Sequence, residues 1–109
     1  STQMAIETLS LLKKDQPGLA ILGEMLEMGD FSVEGHRRVG KAIAQNRIDY
    51  LMAIGPHASE ILKGAMDEGM KPENCLAFQN QDEIEEILFD WAKKSKIILI
   101  IFLMQLMKL

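Results

Sequence analysis

The sequence predicts an α/β fold: a three-layer αβα domain built on a mainly parallel sheet. Three observations predict it. Short apolar runs at residues 19–22, 50–54, 76–78 and 97–101 have the uncharged character of strands buried on both faces. Segments with helical apolar spacing lie between them, so strand and helix alternate throughout. A chain of 109 residues is long enough for one domain with one layered core.

Each element has its own signal. Residues 1–14 carry Ala5, Leu9 and Leu12 at helical spacing, flanked by Met4 and Ile6. Ser1 or Thr2 can cap this helix, and Lys13-Lys14 suit the negative end of its dipole. Asp15-Gln16-Pro17-Gly18 is a turn signal, and Leu19-Ala20-Ile21-Leu22 is the first strand. A helix after Ser32 places His36, Val39 or Gly40, and Ile43 on one face. Asn46-Arg47-Ile48-Asp49 turns the chain into the second strand, residues 50–54. Gly55-Pro56 opens a third helix with proline at the favoured first position. Ala58, Ile61, Leu62, Ala65 and Met66 make its apolar stripe, and Gly69 stops it. A loop from Lys71 to Asn74 leads to the third strand, over Cys75 to Phe78. Asn80 or Gln81 then precedes a helix with Ile84, Ile87, Leu88, Trp91 and Ala92 inward. Asp82, Glu83, Glu85 and Glu86 crowd its N-terminal half, where the dipole favours acids. The fourth strand is read at 97–101, and right-handed crossovers put helices on both faces of the sheet.

One stretch stands out. The first strand runs into Gly23-Glu24-Met25-Leu26-Glu27-Met28-Gly29-Asp30-Phe31-Ser32, ten residues where strand-to-helix loops usually have about two to six. Ligands of open α/β sheets sit where such loops leave the carboxyl ends of strands. Two glycines allow sharp bends or close approach to a ligand, and Ser32 suits a helix N-cap.

The same stretch carries a family resemblance. Leu22-Gly23-Glu24-Met25-Leu26-Glu27-Met28-Gly29, then Phe31-Ser32, then Gly35-His36-Arg37-Arg38-Val39-Gly40, resembles the C-terminal domain signature of Mur ligases, specifically those adding D-alanyl-D-alanine. The resemblance extends from Ser1 to the strand near Ile97. The family usually has Asp where Glu24 stands, which keeps the charge on a longer side chain. It implies a Rossmann-like domain and assigns residues 1–109 to a fragment of a three-domain ligase of peptidoglycan synthesis. The implied partners are UDP-N-acetylmuramoyl-tripeptide, D-Ala-D-Ala and an upstream central ATPase domain. That central domain would bind most of the ATP and Mg, so the fragment is not expected to ligate unaided. The implied reaction phosphorylates the tripeptide carboxylate with ATP; the dipeptide amine attacks the acyl phosphate, and the tetrahedral intermediate collapses to an amide, ADP and phosphate. The family continues its last strand into a Lys-Gly-Ser-Arg type turn; here Phe102-Leu103-Met104-Gln105-Leu106-Met107 stands instead. This apolar end is shorter than the about 20 residues of a membrane span and is expected to promote self-association.

Other classes are weighed by charge and motif. A net charge of −4 argues against non-specific nucleic-acid binding. The single cysteine, Cys75, cannot form an internal disulfide, which fits a cytoplasmic protein, and in a buried strand it is expected to be inert. No secretory signal, phosphate-loop motif or Cys/His metal spacing is present.

The candidate substrate-binding residues are Glu24, Glu27, His36 and Arg37; no catalytic residue, metal ligand or specific nucleotide contact is assigned. The carboxylates of Glu24, Glu27 and Asp30 can bind a substrate ammonium or help hold a metal-nucleotide complex, or simply form a solvated acidic loop. His36 can contact a ligand or be a packed core histidine. Arg37 matches the family's His-Arg pair and can meet phosphate, while Arg38 reads as a solvated residue. The N-terminus of the helix after Gly55-Pro56-His57 can hold an anion or be a plain helix start. Two readings of other classes remain: a stand-alone Rossmann-like module binding a small ligand, and a dimerisation domain using the apolar end.

Overall fold

The computed structural model describes residues 2–25, 33–95 and 99–105, with the backbone alone described for 2, 23–25, 81, 92, 94–95 and 99–105. Four helices and four strands alternate: α1 (Thr2–Lys13), β1 (Gly18–Met25), α2 (Val33–Gln45), β2 (Tyr50–Ile54), α3 (Ala58–Asp67), β3 (Cys75–Phe78), α4 (Ile84–Ser95) and β4 (Leu99–Gln105). The strands form one sheet in the order β3-β2-β1-β4, and every pairing is parallel.

The side-chain alternation of a strand explains the layers. Ala20 and Leu22 of β1, with Leu51 and Ala53 of β2, join a core with Ile6 and Leu9 of α1, Val39 and Ile43 of α2, and Ile61 and Ala65 of α3. Leu19, Ile21, Met52 and Ile54 point the other way and join Phe78 and Ile84, with Ile87, Leu88 and Trp91 of α4 packed against them. Three helices cover one face and α4 the other, which is the expected αβα sandwich. Residues 19–22 of β1 and 51–54 of β2 are apolar at every position of both faces because neither face meets water there.

Helix ends follow their local chemistry. Gly69, at φ +104°, closes α3 with two backbone bonds, from its own N–H to Met66 and from Met70 N–H to Ala65. The same motif closes α2, but with Arg47 in the left-handed position at φ 60°; Arg47 N–H donates to Ala44 and Ile48 N–H to Ile43. Asn80 precedes a short 3₁₀ turn, Gln81–Glu83, that leads into α4. Its Oδ1 accepts from Asp82 N–H at 3.0 Å, while Glu83 reaches back to the Gln79 and Asn80 N–H groups. At the amino end of the sheet, Gly18 N–H donates to Asp49 Oδ2 at 2.8 Å, and buried Lys13 lies 3.5 Å from the same oxygen. That knot ties α1, β1 and the entry to β2 together.

Three boundaries differ from the sequence expectation. The first strand extends over Gly18–Met25 because it pairs with β4 beyond the reach of β2. The fourth, expected to end at 101, runs on to Gln105, since its register is set by β1 and not by its own uniform apolar run; residues 97 and 98 lie outside the described residues. Pro56 lies in a turn ahead of α3, not at its first position: Ala58 N–H donates to Gly55 and the helix begins at Ala58.

Candidate functional site

The carboxyl ends of the strands gather the loops that matter. In the order β3-β2-β1-β4, the chain leaves β1 toward β2 on one side, while β4 lies on the other. The gap between β1 and β4 is therefore a topological switch point, where α/β sheets open a crevice for ligands. Between Leu22 and Met25 three steps along β1 match two along β4, so the backbone bulges beside Gly23 and Glu24. Bulges re-aim side chains and are common next to binding sites. Glu24 thus belongs to the end of β1 and not to a loop. Glu27, Asp30 and the expected cap Ser32 lie outside the described residues.

His36 is placed at the start of α2 with 2% of its surface exposed. Its ring lies 4.5 Å, centroid to centroid, from that of His57, with 34° between the planes. His57 occupies the turn that follows β2 and is exposed. Both histidines of the chain therefore meet at the carboxyl end of neighbouring parallel strands.

Arg37 is half-exposed, and its Nε donates to Glu60 of α3 at 2.9 Å. The pair ties α2 to α3 at their N-terminal ends, and Lys63 adds a second cation 3.6 Å from Glu60. The Arg37 hydrogen bond lowers the Glu60 carboxyl below its usual range of about 4.5, with both cations adding attraction. Arg38 faces water and reaches Glu34 one turn away at 3.7 Å, as a solvated helix face should.

The two helices can come this close because of two glycines. A Cβ on Gly40 would lie 2.8 Å from Ala65 N, and one on Gly64 would lie 2.7 Å from the Arg37 carbonyl carbon. Each helix thus rests on the other's backbone. This contact fixes the spacing of His36 and His57, each carried near the N-terminal end of its helix. The pairing was not read from the sequence, although one signal was present: each histidine follows a strand of the parallel core.

Other features are structural. Burial pushes the Cys75 thiol up to about 11, and its Sγ lies 3.6 Å from the Lys71 carbonyl, so it is an inert core group as expected. A shallow cavity of about 270 Å³ lies at the opposite, amino end of the sheet, bordered by Arg47, Asp49, Glu68 and Lys71. Another, of about 430 Å³, lies on the outer side of α4 beside Asp82, Glu85, Glu86 and Phe89. Neither touches the histidine pair. Among the described residues, no group of three or more His, Cys, Asp or Glu converges as a metal site. No described helix is long and apolar enough to cross a membrane.

Two crystal structures of MurF from Acinetobacter baumannii superpose on the chain with TM-scores of 0.69 and 0.68. The chain has a MurF-like fold. The match covers 96% of this chain at 24% sequence identity. It spans only 23% and 22% of the two MurF chains, less than a quarter of their length. No family model matches the sequence. The MurF-like fold bears out the expected Rossmann-like architecture.

Proposed function

We propose that this chain is the C-terminal domain of a D-alanyl-D-alanine-adding Mur ligase, acting in the cytoplasm in peptidoglycan synthesis. What supports the reading is one coincidence of motif and place. The Mur-type residues at 22–25 and 35–40 flank the carboxyl end of β1, at the switch point of a sheet with a MurF-like fold. In the proposed reaction D-Ala-D-Ala is joined through its amine to the activated carboxylate of UDP-N-acetylmuramoyl-tripeptide. The described residues form neither a phosphate loop nor a metal cluster, so they do not fit ATP and magnesium by themselves. Those groups would be held by a central domain. The part of this domain is closure: it orients the dipeptide and excludes water once the other substrates are bound.

Within that part, Glu24 and Glu27 are the candidates to face the dipeptide's ammonium, on the segment leaving β1. Arg37 ties α3 to α2 through Glu60. The test is to express the longest reading frame containing this chain and measure ADP release. Release that requires UDP-N-acetylmuramoyl-tripeptide and D-Ala-D-Ala together supports the proposal. A frame without an ATPase domain, or ADP release indifferent to the dipeptide, contradicts it and favours a stand-alone ligand-binding module.

A further inference from the structure

The histidine pair is asymmetric. His36 is 2% exposed, so its ring is not open to a ligand. His57 is exposed, and among the described residues its imidazole makes no hydrogen bond, not even as the N-cap of α3. Its ring packs there against the ring of His36. One ring is thus buried in the core and packs against the other, which stands exposed at the carboxyl end of β2. The position follows from the fold. His57 comes three residues after Ile54, the last of β2, and His36 opens the helix that follows β1. A ligand entering at the carboxyl end of these two strands reaches His57 before it reaches His36.

We propose that His57 hydrogen-bonds the carboxylate of a small ligand at this end of the sheet, and that His36 is a positioning residue acting through it. The inference rests on the proposed function, under which the ligand is D-Ala-D-Ala. An imidazole N–H donates to a carboxylate oxygen of the dipeptide, which leaves the amine at the other end free for attack. A ring stacked on a buried neighbour is confined before the ligand arrives, so less freedom is lost on binding. A purely structural pair would need only two flat rings in contact. A recognising pair needs the His57 nitrogens as well.

The two roles separate in an NMR titration of the 109-residue chain with D-alanyl-D-alanine and with its C-terminal amide, following the histidine ring signals. The proposal expects saturable shifts centred on His57 for the free acid and about tenfold weaker binding of the amide. His57→Phe keeps a stacking ring but loses the donor. It should give a native spectrum and about tenfold weaker binding of the acid. His57→Gln keeps a donor and should recover most of that loss. His36→Leu should leave the fold intact, broaden the His57 ring signals and weaken binding less than His57→Phe does. Wild-type affinity in His57→Phe, shifts centred elsewhere, or no saturable shift overturns the proposal. The ligase reading is judged separately by ADP release: loss of dipeptide binding here with dipeptide-dependent ADP release there would reject His57 and keep the domain.

Discussion

Gly64→Ala is the sharpest probe of how the site is held. The added Cβ would lie 2.7 Å from the Arg37 carbonyl carbon and 2.8 Å from its Cα. Carbon atoms pack best at about 3.5–4.0 Å, so α2 and α3 must part by about 1 Å. Backbone cannot rotate out of the way as a side chain can. Overpacking of this kind costs about 1–3 kcal/mol, and the upper end applies here. Replacing a helical glycine by alanine returns about 1 kcal/mol of propensity. The net expectation is a loss of about 2 kcal/mol, which lowers Tm by about 10 °C in a domain of this size. Gly40→Ala presses on Ala65 N and the Ile61 carbonyl across the same contact. One separation of the helices relieves both clashes, so the double variant should lose less than the sum of the singles. Thermal melts and urea titrations of the three variants measure this. A Gly64→Ala melt at or above the wild-type temperature would refute the close-packed contact and the fixed histidine spacing that depends on it.

Other outcomes follow from single features. Arg47→Gly should raise stability by about 0.5–1 kcal/mol in urea melts, because glycine occupies the left-handed position at the end of α2 without strain; a loss would show that the Arg47 side chain contributes more than its backbone costs. Glu60 has a folded pKa below 4.5, so its contribution is present above 4.5 and lost as pH falls through the folded value. The stability gap between wild type and Arg37→Ala should therefore be widest near neutrality and narrow as the pH drops below 4.5, and a gap independent of pH would show that Arg37 acts by packing. Because β4 runs to Gln105, trimming after Ile101 would cut the strand; removing residues 106–109 spares all of its described residues and should make the chain more monodisperse in sedimentation. A monomer with and without those residues would dismiss self-association through the apolar end.

The second and third strands were plain in the sequence and the site half-visible, for physical reasons. The second and third strands are short apolar runs between turn residues, and their ends were read within one residue. The first strand was read short because Glu24 interrupts its apolar pattern, whereas pairing with β4 carries the strand past that residue. The apolar run over 97–104 has no internal punctuation, so nothing local marks an end to the fourth strand at 101. The burial of His36 was legible from its place beside Val39 and Ile43 on one helix face. Its partner was not, since the contact with His57 depends on the approach of α2 to α3, and helical spacing says nothing about neighbours in another helix. The sequence offers Arg37 as a phosphate ligand through its guanidinium and the His-Arg pair, but not the Glu60 carboxylate that engages it, which lies on the facing helix.

The most direct measurement replaces the C-terminal segment of a D-alanyl-D-alanine-adding ligase with this chain and follows the UDP-linked product by mass spectrometry. The account predicts a mass increase of one D-Ala-D-Ala unit that requires ATP and is lost when this chain is omitted. A folded chimera that binds ATP and the UDP-linked tripeptide yet never forms that product would contradict it.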